Sequence, residues 1–268
     1  MVFRAFAIDL DGTLLVGEDL PEENITALRA ARDAGYEIII ATARWVQMAR
    51  RVADQIGITG PVIACSGAQV YVPDLERDVF DERLPLDFVD VLYSLCDEER
   101  CIATVTVEDR VLLKLDGEPD PAQMPEEMVW VPKLTGADST LPRVAAIQGT
   151  RANKRIRAEL QPRFSDTVHF FDSIGPTGKV ILTMTSSRAS KGDALKSACN
   201  HLDIDPLDVL AFGDSENDIE MFRVAGASVA MGQADEQTKA AATYVTAPHD
   251  EAGVARAVEK LLANGTLD

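Results

Sequence analysis

Phe3-Arg4-Ala5-Phe6-Ala7-Ile8-Asp9-Leu10-Asp11-Gly12-Thr13-Leu14 decides the reading of this chain. The run from Phe3 to Leu10 is apolar on both faces apart from Arg4 and the Asp9 near its end, as expected of a strand covered on both sides in a parallel sheet. It ends in two carboxylates and a glycine. Asp is depleted in strands, and like charges this close repel unless a bound cation, a shared proton or both compensate them. The stretch is therefore read as an active site.

The same pattern recurs outward from it. Glu22 to Ala34 reads as an amphipathic helix stopped by Gly35, Tyr36 to Ile40 as a second buried strand, Trp45 to Ile56 as a helix, and Val62 to Cys65 as a third strand. Such alternation implies right-handed crossovers and a parallel sheet. From Phe88 the pattern changes. Ile102 to Val107 and Val111 to Leu115 alternate around Glu-Asp-Arg, a hairpin signal, with further strands and a helix up to Thr185. We expect an inserted α+β module over residues 84–186, its sheet antiparallel, within a core formed by 1–83 and 187–268. The parallel pattern then returns. Ser190 and Asp193 resemble a capping box before Lys191 to Leu202, Val209 to Phe212 is a strand, and Asp250 is the expected cap of the last helix.

Composition narrows the function. A net charge of −18 argues against nucleic acid or an anionic membrane surface as partner. No apolar stretch approaches a membrane span, and Arg4 and Asp9 interrupt the N-terminus too early for a signal peptide. Cys65, Cys96, Cys101 and Cys199 lack C-x-x-C spacing and read as buried thiols, so the expected compartment is the reducing cytoplasm. The expected state is a monomer or homodimer. A basic run, Arg151, Lys154, Arg155 and Arg157, reads as a solvated helix face. A second reading has part of the Lys133 to Arg163 region drawing an anionic substrate toward an acidic protein. His169, His201 and His249 lie outside the motifs, and Trp45 and Trp130 read as packing residues.

Asp9, Thr42, Ser66 and Asp214 each follow the C-terminal end of a predicted parallel strand, the edge where open α/β sheets hold ligands. Oxygen donors from Asp9, Asp11, Asp214 and Asp218, with no His or Cys in the motifs, suit Mg2+ better than zinc; a purely structural cation site is the competing reading. Lys191 in the first turn of a helix, and Arg44 ahead of another, oppose the helix dipole, which makes sense if an anion occupies the crevice. An anion, a hard cation and a spare carboxylate point to phosphoryl transfer.

Asp9-x-Asp11-Gly-Thr13, Thr42, Lys191 and Gly213-Asp214-x-x-Asn217-Asp218 resemble the four ordered motifs of the haloacid dehalogenase superfamily. The insertion, with Ser190-Lys191-Gly192, Val229 to Gly232 and Gly253 to Ala255, resembles its Cof-type subfamily. The resemblance implies a Rossmann-like α/β core with a cap domain of the C2B kind, and a Mg2+-dependent phosphatase of small phosphorylated metabolites such as sugar phosphates, phosphoglycolate or phosphorylated cofactors. It makes Asp9 the nucleophile and Asp11 the general acid/base. Mg2+ falls to the Asp9 carboxylate, the Asp11 carbonyl and Asp214, supported by Asp218. Thr42, Ala43, Arg44 and Lys191 would surround the phosphoryl group, with Asn217 positioning substrate or Lys191. Three positions depart from the subfamily's pattern: Ala43 stands where glycine is usual, and Ser66 and Gln233 where asparagine is usual. A phosphosugar mutase and a catalytically idle phosphate-binding module are the rival functions.

Overall fold

A computed structural model describes residues 3–174 and 178–267. The chain divides into two compact units, Met1–Phe80 with Ser190–Asp268, and Asp81–Ala189. In chain order the first unit opens with β1 (Ala5–Ile8), α1 (Glu22–Asp33), β2 (Glu37–Ala41), α2 (Val46–Ile56), β3 (Val62–Ala64), β4 (Gln69–Val72) and β5 (Arg77–Asp81). The second contains α3 (Leu86–Glu98), β6 (Ile102–Val107), β7 (Arg110–Lys114), β8 (Met128–Val131), β9 (Val144–Gln148), α4 (Thr150–Phe164), β10 (Val168–Ile174) and β11 (Val180–Ser186). The first unit resumes with α5 (Lys191–Leu202), β12 (Val209–Gly213), α6 (Ile219–Val224), β13 (Ala227–Ala230), α7 (Glu236–Ala241), β14 (Tyr244–Val245) and α8 (Gly253–Asn264).

The first unit is built on an eight-stranded sheet of order β14-β13-β12-β1-β2-β3-β4-β5, parallel from β14 through β3. β1 lies between β12 and β2, and all four of its residues are buried, which is why its sequence is apolar on both faces. Ala5 and Ala7 join a cluster with Leu195, Ala198, Met221 and Phe222 of α5 and α6. On the other side Phe6 stacks on Tyr36 at 4.7 Å and meets Phe212 edge-on.

The second unit is a six-stranded sheet of order β10-β11-β9-β6-β7-β8. Phe88, Leu92, Ile156 and Leu160 from α3 and α4 pack with Val105, Ile147 and Leu182 of the sheet in one core. Arg143, 1% exposed, is held by Asp81 at 2.7 Å.

Three expectations need correction. β4 pairs antiparallel with β3, so the core sheet continues past the third expected strand, Val62 to Cys65. β7 and β8 run parallel, because the proline-bearing segment between them crosses over instead of turning back. Asp250 does not cap α8: its N-cap is Ala252, in the left-handed region at φ 55° and without a side-chain cap.

Candidate active site

Because β12, β1, β2 and β3 are neighbours, Asp214, Asp9, Thr42 and Ser66 stand in a row at their C-terminal ends. Lys191 begins α5, behind an N-cap in which Ser190 Oγ accepts the Asp193 N–H. Its Nζ donates to Asp9 Oδ1 at 2.6 Å, Asp218 Oδ1 at 2.7 Å and Asn217 Oδ1 at 3.4 Å. Lys191 is 1% exposed and Asp9 4%, so this is a dry ion cluster. Burial disfavours the ammonium, but Asp218 and Asp9 outweigh it and hold Lys191 protonated.

Asp218 accepts on all sides. Its Oδ2 takes the N–H groups of Asp214 and Ser215, at 3.0 and 3.1 Å, as well as the Ser215 hydroxyl. It is the hub that folds the strand-to-helix turn. Gly213 is required beside it, since any Cβ there would overlap the Asp218 carboxyl group. Asp214 accepts from Thr13 Oγ1 at 3.3 Å. Gly12, at φ 78°, lies so close to Asp214 that a Cβ would overlap that carboxylate.

One oxygen from each of Asp9, Asp214 and Asp218 lies within 4.8 Å of the others. Three carboxylates facing one ammonium leave an excess of negative charge in a site largely closed to water. Burial drives the Asp9 carboxyl well above its usual range, against the pull of Lys191. Burial, then the nearby Asp218, push Asp214 up to about 6. This all-oxygen, charge-excess arrangement fits a hard divalent cation such as Mg2+.

Asp11 stands apart from that cluster. Its half-exposed carboxylate is gripped by Arg44, whose Nε lies at 2.9 Å and Nη2 at 2.6 Å, while Nη1 reaches Glu18 at 2.8 Å. Asp11 Oδ1, first among these contacts, raises the Arg44 guanidinium further above its ordinary range. Thr42, fully buried, accepts the Arg44 N–H on Oγ1 at 3.1 Å, and Ala43 beside it is exposed. Ser66 donates its N–H to the Thr42 carbonyl at 3.1 Å. Cys65, Ser66 and Gly67 are three successive left-handed residues, and the buried Ser66 Oγ finds no hydrogen-bond partner among the described residues.

Glu18, Gln233 and His249 were not legible as site residues. Gln233 donates to the Gly12 carbonyl at 2.6 Å and accepts from the His249 N–H at 3.0 Å, tying the first motif loop to the end of the chain. The departure from asparagine gave a hint at Gln233; the other two lie in no recognisable string.

The model of the haloacid dehalogenase-like hydrolases matches residues 6–258. The chain belongs to that family. Its Cof-type phosphatases are phosphoric monoester hydrolases that generally use Mg2+, and this enzyme is one of them. It is 27% identical to a 5-amino-6-(5-phospho-D-ribitylamino)uracil phosphatase of Bacillus subtilis, over 97% of this chain and 98% of that one. It is 29% identical to a phosphoglycolate phosphatase of Methanosarcina acetivorans over the full length of both. A haloacid dehalogenase-like hydrolase from Bacteroides thetaiotaomicron shares the fold with a TM-score of 0.83, at 23% identity over 97% of this chain and 99% of that one.

Proposed function

We propose that the enzyme hydrolyses a small phosphorylated metabolite through an aspartyl-phosphate on Asp9, with Mg2+ as cofactor. The observation that carries the reading is the buried contact of Lys191 with Asp9 beside the Asp214 carboxylate. Asp9 offers a carboxylate oxygen at the strand's end, held in place by a cation that can also meet an incoming phosphoryl oxygen. The Asp9 oxygen bonds to phosphorus as the ester oxygen leaves, and Asp11 gives that oxygen its proton. Asp11 then takes a proton from the water that releases phosphate. To do so it exchanges the Arg44 fork for the leaving group. Thr42, Lys191 and the backbone around Ala43 hold the phosphoryl oxygens, while Asn217 steadies the lysine.

Mg2+ would be held by the Asp9 carboxylate, the Asp11 carbonyl and Asp214, and would neutralise charge spreading over the phosphoryl group. Asp218, its oxygens taken by Lys191 and two amides, supports the others from behind. Relatives named for phosphoglycolate and for a phosphoribityl compound support a small phosphorylated substrate. The acidic charge disfavours nucleic acid, and no helix among the described residues is long and apolar enough to cross a membrane. A screen of phosphorylated metabolites with and without Mg2+ tests the proposal; no release from any of them would favour a binding module.

The raised Asp214 gives a pH signature. A carboxyl held up at about 6 opposes folding as it ionises, so the metal-free protein should lose stability as pH rises from about 4 through 6. Mg2+ binds the ionised form and reverses this. The rise in Tm on adding Mg2+ is expected to be larger at pH 7.5 than at pH 5; equal shifts would detach Asp214 from the metal.

Arg44 gives a second test. A lysine cannot span Asp11 and Glu18 at once. Arg44→Lys should lower kcat/KM by about ten- to a hundredfold with Tm nearly unchanged. Full activity would make Arg44 a tether only.

A further inference from the structure

Lys114, at the end of β7 in the second unit, is 4% exposed, and the carboxylate that faces its ammonium belongs to the exposed Asp116. Its Nζ donates to the carbonyls of Glu99 at 2.9 Å and Cys101 at 3.5 Å, and the Cys101 Sγ lies at 3.9 Å. The other charges around it are committed elsewhere or exposed to solvent. The Glu99 carboxylate is held by Arg151 and Arg155 at 3.0 and 3.1 Å. Asp97 accepts the N–H groups of Leu134 and Thr135, and Asp116, 57% exposed, stands 4.0 Å away. A buried cation whose carboxylate partner is exposed and 4.0 Å away is only weakly compensated, and a closer anion would stabilise it. The nearest atom able to become one is the Cys101 sulfur.

Cys96 supplies the other half. It sits near the end of α3, and Cys101 follows that helix by three residues; both belong to the unit's core. The Cys101 Sγ contacts the Cys96 carbonyl at 3.6 Å. The neighbouring Cys96, then the Lys114 ammonium, lower Cys101 below the ordinary thiol range against the effect of burial, while Cys101 and burial raise Cys96 well above it. Cys101 is 6% exposed and Cys96 not at all, so a small reagent meets Cys101 first.

We propose that Cys96 and Cys101 form a reactive dithiol that a hydroperoxide converts to a disulfide, with Lys114 as counter-ion of the attacking Cys101 sulfur. The Cys101 thiolate takes an oxygen from the peroxide, breaking the O–O bond and releasing hydroxide (or an alkoxide). The Cys96 sulfur then displaces hydroxide from the Cys101 sulfenic acid; with its proton this leaves as water. In sum, two thiols and one hydroperoxide give one disulfide, one water and one further water or alcohol.

The experiment treats the folded, full-length enzyme with hydrogen peroxide and maps cysteines by mass spectrometry without reduction. A Cys96–Cys101 disulfide is expected to form at least about tenfold faster than Cys199 is oxidised. Lys114→Met is expected to slow it at least about tenfold. In Cys96→Ala, Cys101 should stop at the sulfenic acid and be trapped by dimedone, a readout that stands even where the Lys114 variant does not fold. Oxidation of Cys101 no faster than Cys199, or no dimedone adduct at Cys101 in Cys96→Ala, would overturn the proposal.

Discussion

Asp9→Asn is expected to lower kcat by about 10⁴-fold or more while the protein remains folded. The amide has the shape of the carboxylate but no negative oxygen to attack phosphorus. Lys191 keeps its 2.7 Å contact with Asp218, so the buried ammonium is not abandoned. One of three mutually repelling carboxylates is also removed, which limits the change in stability to about 1–2 kcal/mol. Phosphate release from an aryl phosphate, alongside a urea melt, separates the two effects. Undiminished turnover would remove Asp9 from the chemistry.

Lys191→Met should damage both activity and stability. It leaves Asp9 and Asp218, 4% and 0% exposed, without their shared counter-charge. Breaking a buried pair by removing one partner typically costs about 3–5 kcal/mol. Protonation can relieve part of that, so the loss measured by urea denaturation should be smaller at pH 5 than at pH 7.5. Turnover should fall at least about a thousandfold, since the cation that holds the nucleophile and faces the phosphoryl group is gone. A variant within about 0.5 kcal/mol of the parent would mean that the cluster is not closed to water as its burial indicates.

These expectations rest on residues that local pattern makes legible. β1 reads correctly because a strand with helices over both faces must be apolar on both faces, and Asp9 stands out against it. Asp214, Thr42 and Lys191 are readable for the same reason: each is a polar interruption at the end or start of a buried element. Contacts between exposed residues far apart in sequence leave no such trace. Glu18 holds Arg44 from 26 positions away. Arg151, Arg155 and Arg157 look like a solvated face but pair with Glu99, Glu98 and Asp172. Those pairings weigh against the reading of this helix as an attractor for anionic substrate, because its charge is largely neutralised within its own unit. The β3–β4 pairing was missed because both strands are only three or four residues long, too short for a period to emerge. The Ala252 cap was hidden by Asp250, a residue type that normally caps helices.

The stereochemical course at phosphorus tests the central claim most directly. With an ester whose transferred phosphoryl group is made chiral by oxygen isotopes and sulfur, hydrolysis in isotopically labelled water in the presence of Mg2+ should proceed with net retention, the result of one displacement by Asp9 and a second by water. Net inversion would mean that water attacks the substrate directly, and would contradict the covalent role assigned to Asp9.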